Sequence, residues 1–171
     1  MIRFSPRDWG LAAAALALVL DQGSKAAMLY SFDFIHLAPG QSISVLPFFN
    51  LVMVWNPGIS YGLFPASGPI GTAVLVLLSL TAVGGLGAWM WRSTSRSLAF
   101  GVGLVIGGAL GNLLDRLIYG KVADFFHFHA FGYGWYVFNV ADAAITLGAI
   151  AIIYDVLKPA AEKGQLGVDH E

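Results

Sequence analysis

The sequence predicts an α-helical membrane protein: four transmembrane helices with both termini cytoplasmic, a small extracytoplasmic β-structure, and an interfacial helix or loop. Three observations carry this expectation. Hydrophobic residues make up 57% of the chain and charged residues only 11%, against about 25% charged in a soluble domain. Four stretches are apolar over a length that crosses a bilayer. The basic residues alternate between connections in a way that sets an orientation. The whole chain, 1–171, reads as one integral membrane domain.

The first span is expected over residues 9–30, through "LAAAALALVL" and past Asp21 and Lys25. Arg3 and Arg7 before an apolar run also fit a cleaved leader. The helix-compatible stretch continues through "SKAAMLY" with no turn-rich cleavage region, so an uncleaved anchor is the reading adopted. The second span, 70–91, carries no charge. At the α-helical rise it is roughly 33 Å long, which matches a hydrocarbon core of about 30 Å. The third span is 97–117 and meets its first acid at Asp115, and the fourth, 137–156, contains Asp142 near its start. Arg3, Arg7, Arg92, Arg96, Lys158 and Lys163 then share one side, which the positive-inside rule makes cytoplasmic.

Two connections, 31–69 and 118–136, face outward. In the first, "DFIHLA" and "SISVLPFFNLVMVWN" flank a turn at "PGQ" and read as strand material, rich in β-branched and aromatic residues. "ISYGLFPASGP" is short, apolar and broken by glycine and proline, as expected of an interfacial segment. The second connection, "YGKVADFFHFHAFGYGWYVF", is densely aromatic and is expected to rest on the membrane surface. The polar tail "AAEKGQLGVDHE" is expected to be mobile.

Charge then collects at one depth. Asp21 and Lys25 lie at the outward end of span one, and Asn112, Asp115 and Arg116 at that of span three. Asn139 and Asp142 open span four, with Asp124 just before it. A charge inside a span costs several kcal/mol unless paired or wet, so such convergence points to a site facing the bundle interior. Asp21 and Lys25, four apart on one helix face, fit an ordinary ion pair as well as a functional role. Arg116 could snorkel to the interface. For Asp124 and Asp142 chemistry is the preferred reading. His127 and His129 share a strand face, but "DFFHFH" matches no zinc pattern and lacks a third ligand at a defined spacing. Gly103, Gly107 and Gly111 recur every fourth residue beside Gly108, a small-residue stripe for close helix packing.

Five stretches in this order, "DQGSK", "NPGISYG", "GGALGNLLDR", "VADFFHF" and "FNVADAAI", resemble the lipoprotein signal peptidase (signal peptidase II) family of bacterial membrane aspartyl peptidases. Ser60 and Tyr61 stand where alanine and phenylalanine are common in the family, and Ala123 where valine or isoleucine is frequent. The resemblance implies that Asp124 and Asp142 form the catalytic pair. Asn56, Gly58, Asn112, Arg116 and Asn139 would shape the site or bind substrate, with Asp21, Lys25 and Asp115 in support. It also implies cleavage just before a diacylglyceryl-modified cysteine of a prolipoprotein, with no metal or organic cofactor. The partners would be the lipidated substrate and membrane lipid, with no nucleic acid and no obligate protein partner. The location would be the bacterial cytoplasmic (inner) membrane, with the site toward the extracytoplasmic leaflet. A different class stays open at this point: a small transporter or proton channel using the same buried carboxylates. Against it, the polar residues collect near one face instead of lining a path across, and span two and the inner halves of spans three and four read as uncharged.

Overall fold

The chain is described here by a computed structural model over residues 4–37, 41–58 and 68–158. Among these residues, four helices are long and apolar enough to cross a membrane. Helix α1 runs over Pro6–Ala26 and continues through one wider turn, Ala27–Ser31. Its start is doubly capped. Ser5 Oγ accepts from the Asp8 N–H at 3.3 Å, and the Asp8 carboxylate accepts from the Ser5 N–H at 2.7 Å. Pro6 occupies the first turn, where a missing N–H costs nothing. Helix α2, Gly68–Arg92, is apolar on all sides and buries only Leu75 and Met90, so most of its surface is left for lipid.

Helix α3, Arg96–Tyr119, is the centre of the bundle. Ser95 caps its start by accepting from the Leu98 N–H at 3.2 Å, and Gly120, at φ 71°, ends it in the left-handed region. The glycine stripe sets how close its neighbours come. A Cβ on Gly103 or Gly107 would run into the α1 backbone at Gly10 or Ala14, and one on Gly111 into the Asp21 carboxylate. Around the cylinder, Gly101 and Gly108 admit the backbone of helix α4, Val140–Leu157, at Gly148 and Ala141. Both neighbours thereby bring their polar groups within reach of Asn112 and Asp115.

At one end of the bundle lies an antiparallel sheet in the order β1-β2-β3-β4, formed by Ser42–Leu46, Phe49–Asn56, Val122–Ala130 and Tyr133–Gly134. The β2–β3 register sets Val54 opposite Asp124 and Asn56 opposite Val122. Beyond β4 the chain runs back along β3, where Phe138 bridges Phe126, before α4 begins.

Several expectations change. "DFIHLA" is not a strand: Asp33 is left-handed at φ 58° and Phe34–His36 form a short 3-10 turn that buries Phe34. Burying that ring outweighs local strand propensity. The stretch from Ser42 to Asn56 is a hairpin, β1 and β2, turning at residues 47–48, where proline cannot donate to a ladder. The second connection is built as strands, with β3 lying between β2 and β4, and it leaves Phe131, Tyr133 and Trp135 exposed. Helix α4 starts at Val140, later than expected, because Asn139 is its N-cap. Nor are the ends away from the sheet uncharged. Asp155 of α4 is buried and accepts from the Ser95 hydroxyl at 2.7 Å and from the Ser97 hydroxyl, at the positive end of α3. The expected interfacial segment falls largely on residues 59–67, and the polar tail follows residue 158. Both lie outside the described residues.

Candidate active site

The polar residues gather where α1, α3, α4 and β3 meet, in two layers. The lower layer is a buried ion cluster. Lys25 Nζ donates to Asp21 Oδ2 at 2.8 Å, lies 2.9 Å from Asp115 Oδ2, and donates to Asn112 Oδ1 at 3.1 Å. All three charged residues are almost wholly excluded from solvent, at 3% or less. The two carboxylates also hold backbone, Asp21 with its other oxygen and Asp115 with the oxygen that faces Lys25. Asp21 Oδ1 accepts the Ala141 N–H at 2.9 Å, and Asp115 Oδ2 accepts the Ala123 N–H at 3.1 Å. Ala141 immediately precedes Asp142, and Ala123 immediately precedes Asp124. The cluster thus fixes the backbone one residue ahead of each candidate catalytic carboxylate.

Asn139 joins those two carboxylates in the upper layer. Its Nδ2 donates to Asp124 Oδ1 at 2.6 Å, while its Oδ1 accepts the Asp142 N–H at 2.9 Å and its own N–H reaches Asp142 Oδ2 at 3.3 Å. The last two bonds form the capping box of α4, so Asp142 stands in the first turn, where the helix end favours a negative charge. Asn112 Nδ2 donates to Asp142 Oδ1 at 3.0 Å. Asn56, at the end of β2, donates from Nδ2 to Asp124 Oδ2 at 3.1 Å. Each oxygen of Asp124 therefore has an amide donor, and Asp124 is fully buried while Asp142 is only partly so.

Arg116 lies in the same neighbourhood but braces backbone. Its Nη2 donates to the Gly58 carbonyl at 2.6 Å and its Nη1 to the Asn112 carbonyl at 3.2 Å. Asp115 and Arg116 do point to different sides of α3, as their adjacency requires. The His127 and His129 rings lie 5.7 Å apart, and among the described residues no three acidic or histidine side chains form a metal-holding group. Two contributors escaped the sequence reading. Gln22 Nε2 donates to Asp21, to Asp115 Oδ1 at 3.1 Å and to the Gly111 carbonyl at 3.2 Å. Tyr136 Oη accepts from Asn56 Nδ2 at 2.7 Å. Gln22 had a signal, a polar residue inside an apolar span beside Asp21. Tyr136 had none among so many aromatics.

Burial pushes the Asp124 carboxyl up from 3.8 to about 7, and the Asp142 carboxylate pushes it the same way, while the Asn56 and Asn139 amides pull it down. Between these values the folded chain holds a proton that the unfolded chain has released. The contribution of Asp124 to stability is therefore whole below about pH 4 and is lost as pH rises through about 7. The melting temperature of the protein in detergent, measured against the Asp124→Asn variant, is expected to fall over that interval. A difference that stays flat with pH would contradict the assignment.

A family model described as "Signal peptidase (SPase) II" matches residues 13–158. The chain belongs to the signal peptidase II family. A protein named lipoprotein signal peptidase from Methylobacterium radiotolerans is 51% identical over 159 residues, covering 93% of this chain and 91% of that protein. One of the same name from Rhodopseudomonas palustris is 48% identical over 157 residues, covering 90% and 94%. Two solved bacterial membrane enzymes share the fold. One has a TM-score of 0.74 at 24% identity, covering 95% of this chain and 92% of its own. The other has a TM-score of 0.73 at 25% identity, covering 88% and 94%. As a signal peptidase II family member the protein is an aspartic-type peptidase embedded in a membrane through several helices.

Proposed function

We propose that Asp124 and Asp142 are the catalytic pair and that they remove the signal peptide from diacylglyceryl-modified prolipoproteins, cutting before the lipidated cysteine. The observation that carries this reading is the Asn139 bridge, which bonds both carboxylates through one side chain and its own N–H. Two acids held in one polar pocket cannot both ionise easily, so one keeps a proton while the other acts as base. The titration belongs to the pair.

The ionised carboxylate takes a proton from water as the water oxygen bonds to the scissile carbonyl carbon, giving a tetrahedral intermediate. The protonated carboxyl then gives its proton to the departing nitrogen, the C–N bond breaks, and the products are a new carboxylate and the free amine of the lipidated cysteine. Negative charge on the intermediate is met by donors already aimed into the pocket, such as the amide of Asn112. Arg116 serves by holding Gly58 and the α3 backbone in place.

The substrate's acyl chains stay in the bilayer while its scissile bond enters the polar pocket from the side. The membrane is the bacterial cytoplasmic membrane, with both termini inside and the site toward the outer leaflet, in keeping with the placement of Arg7, Arg92, Arg96 and Lys158. Cleavage of a diacylglyceryl-modified precursor by the purified protein, compared with the same precursor unmodified, tests the substrate. The lipidated form is expected to be cut at least about a hundredfold faster, since binding energy from remote apolar chains positions the reacting bond. Equal rates would remove the lipid from the reading.

A further inference from the structure

Opposite oxygens of Asp124 are held by Asn139 and Asn56, and one short piece of chain sets both. It leads from β4 to the Asn139 cap and is laced to β3: the Trp135 N–H donates to the Phe128 carbonyl at 2.7 Å and the Phe138 N–H to the Phe126 carbonyl at 3.0 Å. The Phe138 carbonyl in turn accepts from the Phe126 N–H at 2.8 Å. At the far end Asn139 reaches Asp124 Oδ1 directly. Within the same piece, Tyr136 offers its hydroxyl oxygen to Asn56. The Asn56 amide is then engaged on every side. Nδ2 gives one proton to Asp124 Oδ2 at 3.1 Å and the other to Tyr136 Oη at 2.7 Å, while Oδ1 accepts the Gly58 N–H at 3.0 Å.

We propose that Tyr136 is a positioning residue for the peptidase reaction, its hydroxyl oxygen pinning the Asn56 amide so that Nδ2 stays on Asp124 Oδ2. It acts through Asn56 and not on the reacting atoms. Without that oxygen, a part-buried N–H loses its acceptor, which is costly enough to turn the amide toward water or another oxygen. The bond to Asp124 is the longer of the two that Nδ2 makes, and it yields first. Because this bond favours the ionised carboxylate, its loss raises the proton affinity of Asp124.

Resting as it does on the dyad reading above, Tyr136→Phe needs a readout besides turnover. In a variant that melts with the wild type, kcat is expected to fall about threefold to tenfold with KM little changed, the worth of one net hydrogen bond. The alkaline limb of the pH–rate profile moves to higher pH. The Asp124 carboxyl band in isotope-edited infrared spectra, assigned by its absence in Asp124→Asn, moves the same way. In an Asn56→Ala background, Tyr136→Phe adds less than about twofold, since a residue acting through Asn56 has nothing left to act on. An unmoved Asp124 titration in the folded variant, or an equal loss in both backgrounds, overturns the role of Tyr136. Absence of cleavage by the wild type would instead strike the dyad reading, and the infrared titration would still decide whether Tyr136 sets Asn56.

Discussion

Asp124→Asn and Asp142→Asn are each expected to lower prolipoprotein cleavage by about a thousandfold or more. General acid–base catalysis by one positioned group is worth about 10²–10⁴, and each member of this pair has its own task, one taking the proton of the water and the other giving a proton to the leaving nitrogen. The substitution is close to isosteric, so what it removes is the ionisable proton. Its side effects differ between the sites. Asp124 accepts amide protons on both oxygens, from Asn139 and Asn56, so an asparagine there must aim its own NH₂ at one donor. That mismatch costs about 1–3 kcal/mol in a buried place. Asp142 accepts from Asn112 on one oxygen and from the Asn139 N–H on the other, the latter bond being long at 3.3 Å. Asp142→Asn is therefore the milder change for folding and the cleaner test of chemistry. Melting curves in detergent alongside turnover separate the two effects. Cleavage by either folded variant at close to the wild-type rate would remove the dyad.

Lys25→Met is expected to destabilise the fold by about 3–5 kcal/mol, as is typical when one partner of a buried ion pair is deleted. Methionine keeps the apolar stem and removes the charge. Asp21 and Asp115, at 0% and 1% exposure, would then be two buried carboxylates without their shared cation. They would have to take up protons or draw in water, and either response loosens their grip on the Ala141 and Ala123 N–H groups. Those two backbone anchors stand directly before Asp142 and Asp124. Activity is therefore expected to fall with stability, although Lys25 makes no bond to either catalytic candidate. Denaturant unfolding in detergent measures the first effect and cleavage at permissive temperature the second. A Lys25→Met protein as stable as the wild type would show that the cluster does not hold the site together.

What could be read from residue order was whatever depends on local composition or on steps along one element. Hydropathy marks four spans because a helix in lipid must be apolar over its own length, and no partner is needed to see that. The four-residue spacing of Asp21 and Lys25 gives their pairing, and the glycine repeat of α3 its close packing, because both are periodicities within one helix. The polar residues at one depth, together with five ordered motifs, pointed to the family.

Partnership across elements was not written in any such local pattern. That Asn139 spans Asp124 and Asp142, that Asp115 reaches into β3 while Arg116 turns to Gly58, and that Tyr136 stands behind Asn56 all depend on how the helices and sheet meet. The same holds for β3, whose pairing with β2 and β4 no run of aromatic residues announces. Nothing local to Asp155 announces the hydroxyls of Ser95 and Ser97 that lie against it. Sequence alone determined the solvent of each segment and the stock of reactive groups. The tertiary structure decided which groups touch, because hydrogen bonds act over about 3 Å, and only the packing of glycine-lined helices brings distant residues within that reach.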